Sequence, residues 1–172
     1  GLTSSDSKFD YLKSNGVDFP INLSKSNYHE QFKKLSRGKK ADVIFNSIGG
    51  ESIKEDFRIL SVSGRLVNYG AASISGKKPN LFTLLGLLRK TPKIKPLKML
   101  GKSSGLIGVN MLSVGDVKPE VVSYCMKEVI KLIKENTSIK PNSGGEFPVS
   151  EITKAHDLLA SRKSTGKIGV KW

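Results

Sequence analysis

The strand pattern at residues 41–46, Ala-Asp-Val-Ile-Phe-Asn, constrains the fold of this chain more than any other feature. Its Val-Ile-Phe centre is apolar on both sides of the pleat, as in a central parallel strand covered by helices on each face. After Gly49-Gly50, apolar residues recur at i, i+4 and i+7 on one helical face: Ile53, Phe57 and Leu60. Residues 64–70 then form a second predicted strand that ends at a glycine. These units predict an α/β fold with a doubly wound, Rossmann-like parallel sheet.

The rest of the chain continues this alternation, apart from one long interruption. Further helices are predicted around Phe9, around Phe32, after Pro119, where the longest amphipathic helix begins, and from about Ser150. Short strands are predicted at residues 19–22, 106–111 and 167–171. Residues 71–104 are rich in Gly, Pro, Ser and Lys and contain one apolar patch, Leu81 to Leu88. This composition predicts a long functional loop that contains a helix.

The formal charge of +14 suggests an anionic partner. Clustered Lys and Arg side chains bind phosphate groups more tightly because binding releases the counterions of the phosphates. No Asp or Glu occurs between Phe57 and Gly115, where the basic residues are Arg58, Arg65, Lys77, Lys78, Arg89, Lys90, Lys93, Lys95, Lys98 and Lys102. A solvated lysine-rich surface, attraction of a phosphorylated cofactor and contact with an anionic membrane are all compatible with this distribution. Nucleic acid is not expected as a partner, since the segment lacks interleaved aromatic residues and a groove-reading motif.

Cysteine and histidine are scarce: Cys125 is the only cysteine and there are two histidines, so neither a disulfide nor a metal site is predicted. No apolar run reaches the ~18 residues of a membrane-spanning helix, and the amino terminus lacks a secretory pattern, so a cytoplasmic location is expected. The sequence offers no convincing nucleophile and base, which leaves the catalytic residues unknown. The acidic pair Glu55-Asp56 is predicted to lie on a solvated helix surface.

Two turns of small residues follow the two best-defined strands. Residues 46–50, Asn-Ser-Ile-Gly-Gly, follow the first strand, and residues 69–73, Tyr-Gly-Ala-Ala-Ser, follow the second. Ligands of open parallel sheets lie beyond the carboxyl ends of the strands, where glycine lets the backbone approach them closely. The pair of turns therefore predicts a nucleotide site, although tight connections alone would explain either one. The glycine fingerprint for a pyrophosphate is absent.

The runs from Asp42 to Gly50, from Phe57 to Leu60 and from Gly64 to Ser73 resemble the zinc-independent quinone oxidoreductases of the medium-chain dehydrogenase/reductase superfamily. The resemblance extends over essentially the whole chain, and residues 77–111 are most similar to the vesicle amine transport protein homologues. It implies the nucleotide-binding half only, without the substrate domain and first strand that family members carry before it. The sheet is therefore expected to be incomplete at its amino-terminal end. Residues 1–138 would form a partial dinucleotide-binding domain, and residues 139–172 would return to the missing domain.

The activity implied by this resemblance is transfer of a hydride from NADPH to a quinone or an α,β-unsaturated carbonyl compound, without a metal. The cofactor carries the chemistry and the protein positions it; this chain alone is expected to be inactive. Ser5 and Lys8 would contact the adenosine 2′-phosphate. The other implied cofactor-binding residues would line the nicotinamide-ribose turn (Asn46, Ser47 and Ile48), lie near the nicotinamide (Gly70, Ala71 and Ala72) or close over its ring (Val109, Asn110 and Met111).

The second strand end also bears on the choice between NADPH and NADH. An NAD-selective fold usually places Asp or Glu there, whereas this end carries hydroxyls and Lys8, which favours NADPH. The neighbouring Asp6 disfavours a phosphate, and Ser5 and Lys8 also fit a helix cap and a solvated lysine. Leu23 stands where the family often has a tyrosine beside the adenosine phosphate.

The resemblance further implies a homodimer, because family members pair the sheet edge near residues 106–111 across a dimer and an exposed edge invites such pairing. The competing interpretation is a non-catalytic truncated domain that acts in self-association or on an anionic membrane surface. The patch from Leu81 to Leu88 and the basic residues after it would supply that contact.

Overall fold

In the computed structural model the described residues are 1–72, 85–86, 89, 92–136, 142–161 and 163–172. They form a mixed α/β structure with parallel sheets, which confirms the predicted fold class. The strands are β1 Leu2–Thr3, β2 Ile21–Asn22, β3 Ala41–Asn46, β4 Leu60–Asn68, β5 Gly105–Gly108, β6 Ser143–Pro148 and β7 Lys167–Lys171. The α-helices are α1 Phe9–Ser14, α2 Tyr28–Leu35, α3 Glu51–Ile59, α4 Pro96–Lys102, α5 Met111–Val117, α6 Pro119–Glu135 and α7 Ile152–Ala160. Short 3₁₀ helices span Asp6–Lys8 and Val149–Glu151.

The chain divides into two compact units, one with residues 1, 3–20 and 120–172 and the other with residues 2 and 21–119. In the first unit, α7 packs against the parallel pair β6 and β7 and buries Ala155. The predicted carboxy-terminal strand at residues 167–171 is confirmed. A division of the chain after residue 138 stays a prediction, and residues 137–141 lie outside the described residues.

The second unit is built on the three-stranded parallel sheet β3-β4-β5. Asn46 pairs with Asn68, and Asn68 pairs with Gly108, so the three strands end at the same edge. Helix α3 packs against β3 and β4, as its apolar pattern predicts. The core consists of the buried Ile53, Leu60 and Leu66 and of the partly buried Ile44, Phe57, Ile94 and Leu106. Burial of an aliphatic side chain of this size contributes about 1.5–3 kcal/mol, so this cluster holds helix and sheet together.

Strand β4 begins at Leu60 rather than at the predicted Gly64. Its register with β3 is irregular between Ala41 and Val43, and Ser63 adopts a left-handed φ of 61°. The extra residues of β4 form a bulge, which lets the strand start directly after the last helical turn. Leu60 is nevertheless fully buried, as its place on the apolar helical face predicts.

The two faces of β3 differ in their cover. Side chains alternate along a strand, so Ile44 faces the core under α3 while Val43 and Phe45 point to the opposite face. Phe45 is 72% exposed and Val43 is 52% exposed. Within the described part of this unit, the predicted helical cover on both faces is therefore observed on one face only. Among the described strands, β3 lies at the end of its sheet and not at the predicted central position.

Candidate functional site

The carboxyl edge of the three-stranded sheet holds the turns that follow its strands. The Tyr69 amide donates to the Asn46 carbonyl at 3.0 Å, and the Ala72 amide donates to the Ser47 carbonyl at 3.1 Å. The Val109 amide donates to the Asn68 carbonyl at 2.9 Å. These bonds bring together seven of the residues singled out from the sequence: Asn46, Ser47, Ile48, Gly70, Ala71, Ala72 and Val109. Ser73, the last residue of the second predicted turn, lies outside the described residues.

The side chain of Asn46 organises the turn after β3. Its Oδ1 accepts hydrogen bonds from the amides of Ile48 and Gly49, each at 2.8 Å. Its Nδ2 donates to the hydroxyl of Ser52 at 2.8 Å, and that hydroxyl donates to the Gly49 carbonyl at 2.8 Å. Asn46 is buried although it ends a strand at the sheet edge. Its side-chain amide group is therefore used within the turn, so a ligand at this site would contact the backbone of the turn and not the Asn46 side chain.

Gly70 lies where the turns after β3 and β4 approach each other most closely. A Cβ atom on Gly70 would be 2.5 Å from the carbonyl oxygen of Ser47 and 3.1 Å from its Cα. Both contacts are with backbone atoms, so a larger residue could be accommodated only by moving a turn. Ser47, Ala71 and Ala72 are exposed beside this contact. The edge thus presents small residues and open backbone, which suits close approach of a flat ligand.

Asn68 is a member of this edge that sequence reasoning missed. With its amide nitrogen turned toward the sheet edge, it donates to the carbonyls of Asn46 and Gly70 at 3.3 Å each. The sequence contained a signal for it: each of the two predicted strands carries an asparagine near its carboxyl end, and the structure places Asn68 in register with Asn46.

The residues expected to close over the nicotinamide lie just beyond β5. The predicted strand at 106–111 is shorter than expected and ends at Gly108, and Met111 already begins helix α5. The side-chain oxygen of Asn110 caps this helix by accepting from the amides of Leu112 at 3.2 Å and Ser113 at 3.3 Å. Met111 is 54% exposed. A role of Val109, Asn110 and Met111 toward the nicotinamide stays a prediction.

Ser5 and Lys8 belong to the other compact unit. The Ser5 hydroxyl caps the 3₁₀ helix Asp6–Lys8 by accepting from the Ser7 amide at 3.2 Å. The Lys8 ammonium donates to the Ser164 carbonyl at 3.1 Å. The helix cap anticipated as an alternative is thus present, and the proposed contact of both residues with a 2′-phosphate stays a prediction.

A buried polar cluster lies behind the turn after β3, and sequence reasoning placed one of its members wrongly. Asp56 is 2% exposed, whereas the pair Glu55-Asp56 was expected on a solvated surface. The Tyr28 hydroxyl donates to Asp56 Oδ1 at 2.6 Å, and the Asn46 amide nitrogen donates to Asp56 Oδ2. Burial raises the pKa of the Tyr28 hydroxyl, and the bond to the carboxylate raises it further. Asp56 connects helix α2 to the turn that Asn46 organises.

His29 lies beside this cluster. Its Nδ1 contacts Asn27 Oδ1 at 2.8 Å, and its Nε2 is 3.9 Å from Asp56 Oδ1. Nε2 is buried without a hydrogen-bond partner among the described residues. Burial lowers the pKa of His29 and outweighs the opposite effects of the Glu55 and Asp56 carboxylates. The imidazole is therefore neutral near pH 7. The Asp56 carboxylate then depends on its hydrogen bonds from the Tyr28 hydroxyl and the Asn46 amide nitrogen.

A cavity of about 940 Å³, here named the basic cavity, is lined in part by helices α3 and α4. Its described apolar lining residues are Phe57, Leu85, Pro92, Ile94 and Met99, and its described cations are Lys54, Arg89, Lys93, Lys95, Lys98 and Lys102. Glu51 is the one acidic residue in the described lining. Burial and the neighbouring ammonium groups of Lys40 and Lys98 lower the pKa of Lys102. The predicted patch from Leu81 to Leu88 lies largely outside the described residues.

The described residues form neither a metal site nor a membrane-spanning helix. No group of three or more His, Cys, Asp and Glu side chains there could hold a metal ion. No helix in the described part of the chain is long and apolar enough to cross a membrane.

Comparison with known proteins connects this geometry to a family. A family model described as zinc-binding dehydrogenase matches residues 1–135. The human synaptic vesicle membrane protein VAT-1 homolog is 28% identical over 167 residues, which cover 96% of this chain and 42% of that protein. The quinone oxidoreductase of Rattus norvegicus is 24% identical over 155 residues, which cover 90% of this chain and 40% of that protein. The chain thus spans about two-fifths of the length of these relatives.

A solved structure supports the same fold. The native structure of a mycobacterial protein complexed with NADPH superposes with a TM-score of 0.67 at 20% sequence identity. The superposition covers 98% of this chain and 48% of the mycobacterial chain. The likeness confirms the Rossmann-like architecture.

Proposed function

Because the chain belongs to the zinc-binding dehydrogenase family, we propose that it is the nucleotide-binding part of an oxidoreductase that transfers a hydride from NADPH to a quinone or an α,β-unsaturated carbonyl compound. The observation that carries this proposal is the shared carboxyl edge of β3, β4 and β5, where two tight turns expose small residues and backbone. The quinone oxidoreductase among the relatives supports the substrate class. The activity is proposed for the complete protein, because the chain spans only about two-fifths of the length of the relatives.

The residues at this edge suit the nicotinamide end of a dinucleotide. The turn of Asn46, Ser47 and Ile48 would hold the nicotinamide ribose. Its backbone is held in place because the amides of Ile48 and Gly49 donate to the Asn46 side chain. Gly70 and the alanines after it would lie against the ring, because the close packing of the two turns leaves no room for a side chain at Gly70 and the next two residues carry only methyl groups. Val109, Asn110 and Met111 would cover the ring from the end of β5. The bound cofactor supplies the hydride, and these residues orient it and limit the access of water.

The test of this function is oxidation of NADPH by the purified complete protein with a quinone or an enone and without added metal. Turnover with either acceptor that persists in the presence of a metal chelator is the expected result. Absence of turnover with a panel of both substrate classes would refute the reductase proposal. A panel that separates quinones from enones also determines the acceptor, because the cofactor half of the site is common to both.

Preference for NADPH over NADH is proposed to depend on Lys8. In the complete protein, Lys8→Ala is expected to raise the KM for NADPH about tenfold and to leave the KM for NADH unchanged, because a charge-assisted bond to the 2′-phosphate is lost. Steady-state kinetics with both cofactors measures this. Lys13→Ala on helix α1 of the same unit is the matched control and should change neither value. Equal changes with both cofactors would assign Lys8 to its bond with the Ser164 carbonyl instead.

A second candidate function, contact with an anionic membrane surface, is supported by the basic cavity. Its six described cations face one acid, and the described residues give none of them a salt bridge. The chain should therefore sediment with vesicles that contain phosphatidylserine and not with vesicles of phosphatidylcholine alone. Replacing Lys95 and Lys98 by Ala should weaken this binding roughly thirtyfold, since each surface cation contributes about 1 kcal/mol. Replacing Lys131 and Lys134 on α6 is the control, and equal sedimentation with both vesicle types would contradict the proposal.

We further propose that the complete protein is a cytoplasmic homodimer. Strand β5 lies at the end of the three-stranded sheet, and its outer edge is the surface through which two copies would pair. Sedimentation velocity over a range of concentrations tests the dimer, which a concentration-independent monomer would exclude. Recovery of the protein only with membranes after cell fractionation would exclude the cytoplasmic location.

A further inference from the structure

We propose that Asp56 is a positioning residue for the cofactor site: through Asn46, its carboxylate holds the turn of residues 46–50 in the conformation that receives the nicotinamide ribose. This inference rests on the proposed function for the identity of the ligand. The positioning of the turn itself is independent of that identity. Asp56 lies on helix α3 and is separated from the exposed backbone of the turn by the Asn46 side chain, so it acts through another residue and not by direct contact.

Both oxygens of the Asp56 carboxylate are engaged. Oδ1 accepts from the Tyr28 hydroxyl at 2.6 Å, and Oδ2 accepts from the Asn46 amide nitrogen. The residue is 2% exposed, and its nearest described cationic candidate is His29 at 3.9 Å, an imidazole whose pKa burial lowers. A buried carboxylate of this kind is stabilised by its hydrogen bonds, and an ionised carboxylate can only accept them. Asp56 therefore requires a donor from each neighbour.

This requirement determines the orientation of the Asn46 amide. Because Asp56 accepts and does not donate, the NH₂ group of Asn46 must face it, and Oδ1 must face the opposite way. In that orientation Oδ1 accepts from the amides of Ile48 and Gly49. If the amide were reversed, its NH₂ group would meet these two N–H donors and the turn would lose both bonds. The carboxylate thus selects the one orientation that closes the turn.

Ser52 is consistent with the same direction of hydrogen bonding. Its hydroxyl accepts from the Asn46 amide nitrogen and donates to the Gly49 carbonyl. A hydroxyl can accept or donate, so Ser52 alone could adapt to either orientation of Asn46. Asp56 cannot adapt, which is why the carboxylate is the group that sets the direction.

The experiment compares Asp56→Asn with the wild type in the complete protein. The substitution preserves shape, but its amide can present either an oxygen or an NH₂ group to Asn46, because the Tyr28 hydroxyl can both donate and accept. The orientation of Asn46 is then no longer imposed, and its hydrogen bond to residue 56 is no longer charge-assisted. Hydrogen exchange of the Ile48 and Gly49 amides, measured by NMR without cofactor, is expected to accelerate roughly tenfold. The Kd for NADPH, measured by titration of cofactor fluorescence, is expected to rise by a similar factor. Glu55→Gln, the neighbouring acid on the same helix, is the matched control and should change neither quantity.

A double-mutant cycle separates positioning through Asn46 from general loosening of the core. Asn46→Ala should accelerate exchange of the same two amides, and adding Asp56→Asn to it should cause no further acceleration, because Asp56 acts only through Asn46. Additive effects would overturn the proposal. Unchanged exchange in Asp56→Asn would also overturn it.

Two further outcomes distinguish the positioning role of Asp56 from the proposed binding of NADPH. If exchange accelerates in Asp56→Asn but the wild type does not bind NADPH, the proposed function fails while the positioning of the turn by Asp56 is supported. If Asp56→Asn does not fold, the wild type is measured alone: the side-chain NH₂ protons of Asn46 should exchange much more slowly than those of the exposed Asn27. Exchange at the rate of Asn27 would overturn the proposal.

Discussion

Replacement of Gly70 by alanine is expected to lower the affinity of the complete protein for NADPH roughly tenfold and its free energy of unfolding by about 1–3 kcal/mol. The new Cβ atom would lie 2.5 Å from the Ser47 carbonyl oxygen and 3.1 Å from the Ser47 Cα. Because these are backbone atoms, no change of side-chain rotamer can relieve the overlap, and one of the two turns must move. The movement would shift the surface on which the nicotinamide and its ribose are proposed to lie.

Cofactor fluorescence titration and urea unfolding measure the two effects. Gly108→Ala is the matched control, because Gly108 lies at the same sheet edge but a Cβ atom there would meet nothing within 4 Å. The control should leave stability within about 0.5 kcal/mol of the wild type. A Gly70→Ala protein with unchanged stability and unchanged affinity would show that the two turns are not packed as described.

Replacement of Leu66 by alanine is expected to lower the free energy of unfolding by about 2–5 kcal/mol, the largest effect of a single substitution predicted for this chain. Leu66 is fully buried in the middle strand of the sheet, and the core around it is formed by both the sheet and helix α3. The loss combines the transfer of the missing methyl and methylene groups with the cavity that they leave. Since Leu66 lies in β4, a weaker core would also loosen the turn that follows this strand.

Equilibrium unfolding in urea, followed by far-ultraviolet circular dichroism, tests this prediction. Val62→Ala serves as the control, because Val62 lies in the same strand but is 71% exposed. A change of less than about 0.5 kcal/mol is expected for it. Similar losses for both variants would mean that Val62 is covered in solution and that the difference in burial between the two positions does not hold. A loss below about 0.5 kcal/mol for Leu66→Ala would contradict its place in the core.

The edge formed by the turns after β3 and β4 could be predicted because hydrophobic period and glycine content are local properties of the sequence, and consecutive strands of an α/β fold are usually neighbours. The two predicted strands are parallel neighbours, so their carboxyl ends meet and the residues after them come together. Val109 joins them because β5 is the next strand in the same sheet. The roles proposed for Ser5 and Lys8 depend on a ligand, and they remain predictions.

Asp56 shows where sequence reasoning failed. Its place beside Glu55 in a helix rich in charged residues indicates a solvated surface, yet it is buried and hydrogen-bonded on both oxygens. One donor, Tyr28, is 28 residues away in sequence, on another helix. Periodicity records which face of a helix is apolar, but it does not record which buried polar group will find a partner.

The sequence by itself determined β3, α3 and the end of β4, together with the edge at which these strands end, because hydrophobic period and turn residues act over a few neighbouring positions. It determined strand β3 to the residue, the inward face of helix α3 and the glycine turns. Only the tertiary structure decided that Asp56 is buried, that Asn46 is oriented by it and that one face of β3 leaves Phe45 exposed. These features depend on contacts between elements distant in sequence, where the free energy of a polar group is set by the partner that folding brings to it.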